Sequence, residues 1–158
     1  MNVLMAKQFP RSFIGIMYNR LHKCVGIVRW ANCFSSVFAV TAGVRQGGLL
    51  SPALFAVFMD NLITRLIKSS RYGCYLRGVY NGCLVYADDI LLLSPSVCFM
   101  QKMLDICESF ADDCDMRFNF TKSFALRIGP RFRCNCAALT LCGEPLIYAI
   151  SVKYLGVY

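Results

Sequence analysis

No run in this 158-residue chain reaches the ~18 consecutive apolar residues of a membrane span, because charges, Gly or Pro interrupt every stretch. A membrane-spanning protein is therefore not expected. No Cys-x-x-Cys occurs, and His22 is the sole histidine, so the usual zinc spacings are absent. The first 23 residues mix Lys and Arg into the apolar positions, and no small-residue cleavage site follows. That is not the order of a signal peptide. Internal repeats, low-complexity stretches and linkers are missing too, so residues 1–158 read as one domain or a piece of one.

What is present is apolar and basic. Hydrophobic residues make up 57% of the chain. Mean hydropathy is +0.50, high for a free-standing soluble protein. An element cut from a larger protein, with normally covered surface now exposed, would have this composition. The ten cysteines are scattered, with only Cys134-Asn135-Cys136 close together. Cys24, Cys74, Cys83 and Cys107 fall in apolar surroundings and read as small core residues. So many free thiols suit a reducing compartment, nucleus or cytoplasm. The net charge of +8 suits a polyanionic partner. Arg127, Arg131 and Arg133 form the densest basic group, which fits either a solvated loop or a nucleic-acid contact.

Periodicity predicts a helix over residues 9–24, with Pro10 in its first turn and Phe13, Ile14, Met17 and Leu21 on one face. Residues 25–31 and 37–41 read as two strands. A second helix opens at Ser51-Pro52, with Ser51 as N-cap and an apolar stripe of Leu54, Phe55, Phe58, Leu62, Ile63 and Leu66. Asn81-Gly82 predicts a tight hairpin between residues 74–80 and Cys83–Tyr86. A third helix is expected from Ser94-Pro95 to about Cys114. Strands are expected over residues 117–120, 124–128 and 152–157, with a hairpin around Gly143-Glu144. Helices with mostly hairpin-connected strands make an α+β fold, an antiparallel sheet with helices on one face.

Chemistry centres on Tyr86-Ala87-Asp88-Asp89. Two adjacent carboxylates sit between apolar runs that read as strands buried on both faces. Like charges held against a core repel each other. A divalent cation with hard oxygen ligands, Mg²⁺ or Mn²⁺, would relieve that repulsion, and carboxylates commonly share such an ion with substrate phosphates. Upstream lies Gly43-Val44-Arg45-Gln46-Gly47-Gly48-Leu49-Leu50-Ser51-Pro52. Adjacent glycines allow close backbone approach, Arg45 offers a phosphate fork, and Gln46 offers a donor and an acceptor. A helix N-terminus follows, where anions are favoured.

This loop, then Tyr86-Ala87-Asp88-Asp89, then Asn119-Phe120-Thr121-Lys122-Ser123, then Lys153-Tyr154-Leu155-Gly156-Val157, resembles the palm of reverse transcriptases. More narrowly it resembles those of non-LTR, LINE-type retrotransposons. The resemblance implies RNA-directed DNA polymerisation on an RNA template and DNA primer, with dNTP substrates and two metals about 4 Å apart. It implies that Asp88 and Asp89 ligate metal and that Tyr86 and Ala87 lie near the primer end. Arg45, Gln46, Gly47 and Gly48 would then meet nucleotide and template. Lys122 would protonate the departing pyrophosphate, and Tyr154, Leu155 and Gly156 would open the primer grip.

The pattern departs from the family in one place. A further aspartate, in a motif F-x-x-D-x-x-x-A-F-D before the glycine-rich loop, has no match, and no Asp or Glu occurs between Met1 and Gly43. Asp60 sits on the following helix and cannot substitute. The expectation is a partial palm, with the first aspartate motif, the fingers and the thumb outside the sequence. Such a segment should be inactive alone and bind metal weakly. Two other readings stand beside it: a non-catalytic basic nucleic-acid-binding module, and a non-functional product of a degenerate retroelement.

Overall fold

A side-chain cap, Ser96, marks where the helix Val97–Asp113 begins. The computed structural model describes residues 2–41, 43, 47–130, 132–152 and 154. It comprises two compact units, Met1–Met59 and Asp60–Tyr158. In the first, a short helix α1 (Asn2–Ala6) precedes α2 (Arg11–His22). The expected helix over 9–24 is trimmed at both ends. Pro10 is extended (φ −54°, ψ 137°) and serves as N-cap rather than first-turn residue, its carbonyl accepting from Ile14 N at 3.0 Å. Leu4, Ile14 and Met17 are buried together, with Phe9, Phe13, Leu54 and Val57 packed on them. Leu21, expected on that face, is exposed.

The two strands expected after α2 form one ribbon of four short segments. β1 (Val25–Gly26) pairs with β4 (Phe38–Ala39), and β2 (Arg29–Trp30) pairs with β3 (Cys33–Phe34). Gly26 faces Phe38 and Arg29 faces Phe34, so the return strand holds one extra residue, a bulge. Ser35 manages it: its amide donates to Val28 O at 2.9 Å, and its hydroxyl accepts from Val28 N at 3.0 Å. Gly26 leaves room for the Phe38 ring, whose tip would lie 2.7 Å from a Cβ there and would have to move.

Helix α3 (Ser51–Lys68) runs across the boundary between the units. Leu54 N donates to Leu50 O, so Ser51 is the first helical residue instead of the N-cap. Leu62 and Leu66 of the apolar stripe are fully buried, and Met59 is buried too.

In the second unit, a 3₁₀ turn (Ser70–Tyr72) leads to a hairpin of β5 (Tyr75–Leu76) and β6 (Val79–Tyr80). Its turn is Arg77-Gly78, both left-handed (φ 51° and 80°), not the expected Asn81-Gly82. Gly82 answers a packing need instead: a Cβ there would sit 2.3 Å from the Tyr80 hydroxyl. Next come β7 (Cys83–Tyr86) and β8 (Asp89–Leu92), then α4 (Val97–Asp113). α4 starts three residues later than Ser94. Ser96 is its N-cap and accepts from Phe99 N at 3.1 Å.

No strand forms over residues 117–120. Asn119 caps a second 3₁₀ turn (Phe120–Lys122) in its place. β9 (Phe124–Leu126) follows, then a hairpin of β10 (Thr140–Leu141) and β11 (Glu144–Pro145), then β12 (Ile147–Ala149). β12 pairs with β9 in parallel, an exception to the expected antiparallel pattern. The hairpin turn is Cys142-Gly143, one residue before the expected Gly143-Glu144. α4 binds this hairpin by side chains. The Gln101 amide pairs with both backbone groups of Thr140, and Glu108 accepts from Cys142 N. Leu104, Leu139, Leu141 and Leu146 close the core there. Of the strand expected over 152–157, Tyr154 makes a lone bridge, and residues 153 and 155–157 lie outside the described residues. The fold is α+β, with small, mostly antiparallel sheets.

Candidate functional site

The β7–β8 hairpin carries the acidic pair because two short apolar strands reverse in only two residues. Tyr86 faces Asp89 in the last rung, leaving Ala87 and Asp88 as the turn. Ala87 has φ +50° and Asp88 does not have positive φ, the sign pattern of a type II′ turn. Glycine is the usual first residue of that turn, so alanine there holds some backbone strain. Asp88 thus lies at the tip, and Asp89 opens β8 instead of sharing the turn. Both are exposed.

One face of the hairpin is anchored and the other is open. Leu92 packs against the cluster around Leu104. At the base, Leu93 N donates to Gly82 O at 2.8 Å, and Cys74 N donates to Leu93 O at 3.0 Å. The opposite face shows Leu84 and Tyr86, 47% and 64% exposed. Burial on both faces, expected from the apolar run, therefore does not occur: side chains alternate along β7, and only one face meets the core. Asp89 and Tyr86 share the open face as cross-strand partners.

Behind the hairpin the titratable groups stay neutral. Burial pushes the Tyr80 hydroxyl up to about 12, and neighbouring Cys83 and Tyr75 add to the shift. Burial also raises Cys83, partly offset by its hydrogen bond with Tyr80. It lifts Cys107 to about 12. The charge on this hairpin is accordingly that of Asp88 and Asp89. Of the thiols read as core residues, Cys107 is buried, Cys74 and Cys83 are half-buried and Cys24 is exposed. All ten cysteines are free.

Lys122 is exposed at the end of its 3₁₀ turn. Asn119 shapes that turn: its Oδ1 accepts from Thr121 N at 3.1 Å and from the Thr121 hydroxyl at 2.6 Å, and its carbonyl accepts from the Ser123 hydroxyl at 2.9 Å. Tyr154 is half-buried. In the glycine loop, Gly43 and Gly47 have left-handed φ (99° and 74°), and Gly48 O accepts from Ser51 N at 3.0 Å. Arg45, Gln46, Leu155 and Gly156 lie outside the described residues. Tyr86, Ala87, Asp88 and Asp89 come together on one hairpin, Lys122 and Tyr154 sit on other elements of the same unit, and the glycine loop belongs to the first unit. Asp60 lies half-buried on α3, away from the hairpin turn in sequence and element.

The donor set suits a hard divalent cation: two adjacent carboxylates, exposed, with neutral groups behind them. Among the described residues no group of three or more His, Cys, Asp or Glu could hold a metal by itself. Further oxygen donors, such as substrate phosphates, would have to complete the shell. Sequence reasoning passed over Trp30 and Phe34, which the ribbon holds out beside its turn. The signal was available, since aromatics flank the turn and Trp30 is the sole tryptophan.

The chain is of the α+β class and carries two adjacent carboxylates at a hairpin turn, after a glycine-rich loop. The class narrows to a family, because residues 2–158 match the reverse transcriptases (RNA-dependent DNA polymerases), and the chain belongs to that family. It is 29% identical over 136 residues to the RNA-directed DNA polymerase from mobile element jockey of Drosophila funebris, covering 79% of this chain and 14% of that protein. It is 26% identical over 138 residues to the Pol polyprotein from type-2 retrotransposable element R2DM of Drosophila melanogaster, covering 87% of this chain and 13% of that one. A Pol polyprotein from type-1 retrotransposable element R2 of Popillia japonica is 29% identical over 102 residues. The chain is thus a partial reverse transcriptase of the non-LTR retrotransposon type, spanning 13–15% of the length of these relatives.

Proposed function

We propose that this chain forms part of the polymerase palm and supplies two of the carboxylates for RNA-directed DNA synthesis. The observation that carries the reading is the tight turn that puts Asp88 at its tip and Asp89 in the adjoining rung, in a chain of the reverse transcriptase family. Asp88 and Asp89 would hold Mg²⁺ or Mn²⁺ together with dNTP phosphates. The bound metals would supply positive charge to the attacking and leaving oxygens. Tyr86 and Ala87 border the primer end. Arg45, Gln46, Gly47 and Gly48 contact nucleotide and template. Tyr154, Leu155 and Gly156 begin the primer grip. Lys122, exposed and displayed by the Asn119-capped turn, donates a proton to the leaving pyrophosphate. The partners are an RNA template and a DNA primer. Among the described residues no helix is long and apolar enough to cross a membrane. The free thiols favour nucleus or cytoplasm as the working compartment.

Mn²⁺ titration of the purified chain, read by paramagnetic relaxation, tests the metal assignment. Binding is expected to be weak, because the substrate phosphates and any further carboxylate are absent. It should vanish in Asp88→Ala/Asp89→Ala. Unchanged Mn²⁺ binding in that double variant would sink the assignment. The chain alone should not extend a primer on RNA. Displacing a reacting group by 1 Å already costs about a hundredfold, and a missing ligand should cost more. Template-dependent extension that Asp88→Asn abolishes would show instead that the 158 residues suffice.

A non-catalytic binding role draws on a separate observation: the first unit, residues 1–59, has six Lys and Arg and no Asp or Glu. Such a surface attracts phosphates whether or not chemistry follows.

A further inference from the structure

We propose that the tip of the β1–β4 ribbon is a stacking platform for a single-stranded nucleic acid. The inference rests on the nucleic-acid reading above but concerns a different surface, one that the motif-matched residues do not include. At the tip, Trp30 is 83% and Phe34 is 69% exposed. Aromatic rings of this size are normally covered, in a core or by a ligand. Arg29 lies over Phe34, with its guanidinium carbon 5.7 Å from the ring centroid. Its Nε donates to Ala31 O at 3.3 Å, which ties the side chain to the turn with one of its five donors.

The register distributes these groups on both faces. Arg29 and Phe34 are cross-strand partners on one face, and Trp30 and Cys33 are partners on the other. Whichever face of the tip a strand crosses therefore presents it with one aromatic ring. Base stacking on aromatics and arginine does not depend on sequence, because every base has a π face. It requires unstacked bases, which favours a single strand over a duplex.

Charge selects the occupant. The first carboxylate in the chain is Asp60, thirty residues beyond Trp30, and the whole unit around the ribbon has none. The contrast with the second unit is instructive. Arg65 also lies over an aromatic ring, Phe110 at 5.4 Å, but it is paired with Asp113 at 2.7 Å. No carboxylate of the first unit can neutralise Arg29 in this way. An exposed cation over one exposed ring, with a second ring on the other face, in a unit without acids, complements a chain of phosphates and bases.

Trp30 is the only tryptophan, so its emission reports on this site alone. The 158-residue chain is titrated with the single strands dT12 and U12 and with a 12-base-pair duplex. Binding is read in parallel by anisotropy of labelled strands. Either single strand should quench Trp30 saturably, and the duplex should quench it much less. Trp30→Ala and Phe34→Ala should each weaken single-strand binding about 5- to 150-fold, while Trp30→Phe keeps most of it. Both positions are exposed, and circular dichroism verifies that the variants fold. Binding without quenching, unaffected by Trp30→Ala, would reduce the surface to phosphate contacts and overturn the proposal. Equal quenching by duplex would overturn it as well. Burial of Trp30 on self-association, without any strand, would assign the tip to a second copy and end the proposal. Failure to bind any strand would also end it, while Mn²⁺ binding at Asp88 and Asp89 would still judge the polymerase reading separately.

Discussion

The two units of this chain divide its charges unequally. Residues 1–59 carry six of the 17 basic residues and no carboxylate; residues 60–158 carry the other eleven and all nine carboxylates. The first unit holds its ribbon out with apolar and aromatic side chains exposed. The second is closed by Phe110, Leu62, Leu66 and Met103, all nearly inaccessible. The difference teaches where each kind of work can be done. A surface that meets phosphates gains nothing from carboxylates, which would repel them. A site that positions metal needs carboxylates, and it needs them on an element fixed by a packed core. The acidic hairpin is fixed in that way, since Leu92 ties it to the cluster around Leu104.

The largest expected effect tests this contrast directly. Phe110→Ala should destabilise the second unit by about 3–5 kcal/mol, the usual cost of emptying a buried aromatic site. Trp30→Ala, on the open ribbon, should change stability by no more than about 0.5 kcal/mol. Paired urea unfolding curves measure both. A Trp30→Ala cost as large as that of Phe110→Ala would make the ribbon a core element and break the comparison.

Alkali should also act on the second unit first. Cys107 and Tyr80 are raised to about 12 by burial, and Cys83 is raised as well. A group whose folded pKa lies above its unfolded value stabilises fully below the unfolded value and loses that contribution as pH climbs to the folded one. For Cys107 the window therefore opens near 9.0 and closes near 12, with a slope of about 1.4 kcal/mol per pH unit. Thermal melts from pH 7 to 11 should show the decline, and Cys107→Ala should flatten it. A pH-independent melting curve would contradict the neutral interior behind the acidic turn.

A smaller effect sharpens the account of α4, the helix that carries the core. Ser96→Ala removes the side chain that accepts from Phe99 N. It should cost about 1 kcal/mol, as N-cap losses usually do. Urea midpoints would register the shift. No change would mean that the Phe99 amide finds water instead.

The amino-acid sequence determined what depends on near neighbours. The apolar stripe over Leu54, Leu62 and Leu66 specified α3, because residues three and four apart share a helical face. Apolar runs around Asp88-Asp89 specified a hairpin, and the motif order specified the family. Tertiary structure decided the rest. Asn81-Gly82 has the strongest local turn signal, yet the chain turns at Arg77-Gly78, and Gly82 is kept for contact with Tyr80. β7 has no polar alternation, yet only one of its faces is covered, because coverage depends on which distant element arrives. The parallel pairing of β9 with β12 joins segments about twenty residues apart. Helical periodicity and turn chemistry are properties of a few adjacent residues. Strand partners and buried faces are chosen only when remote segments meet, and a one-dimensional pattern does not encode which of several apolar surfaces will find each other.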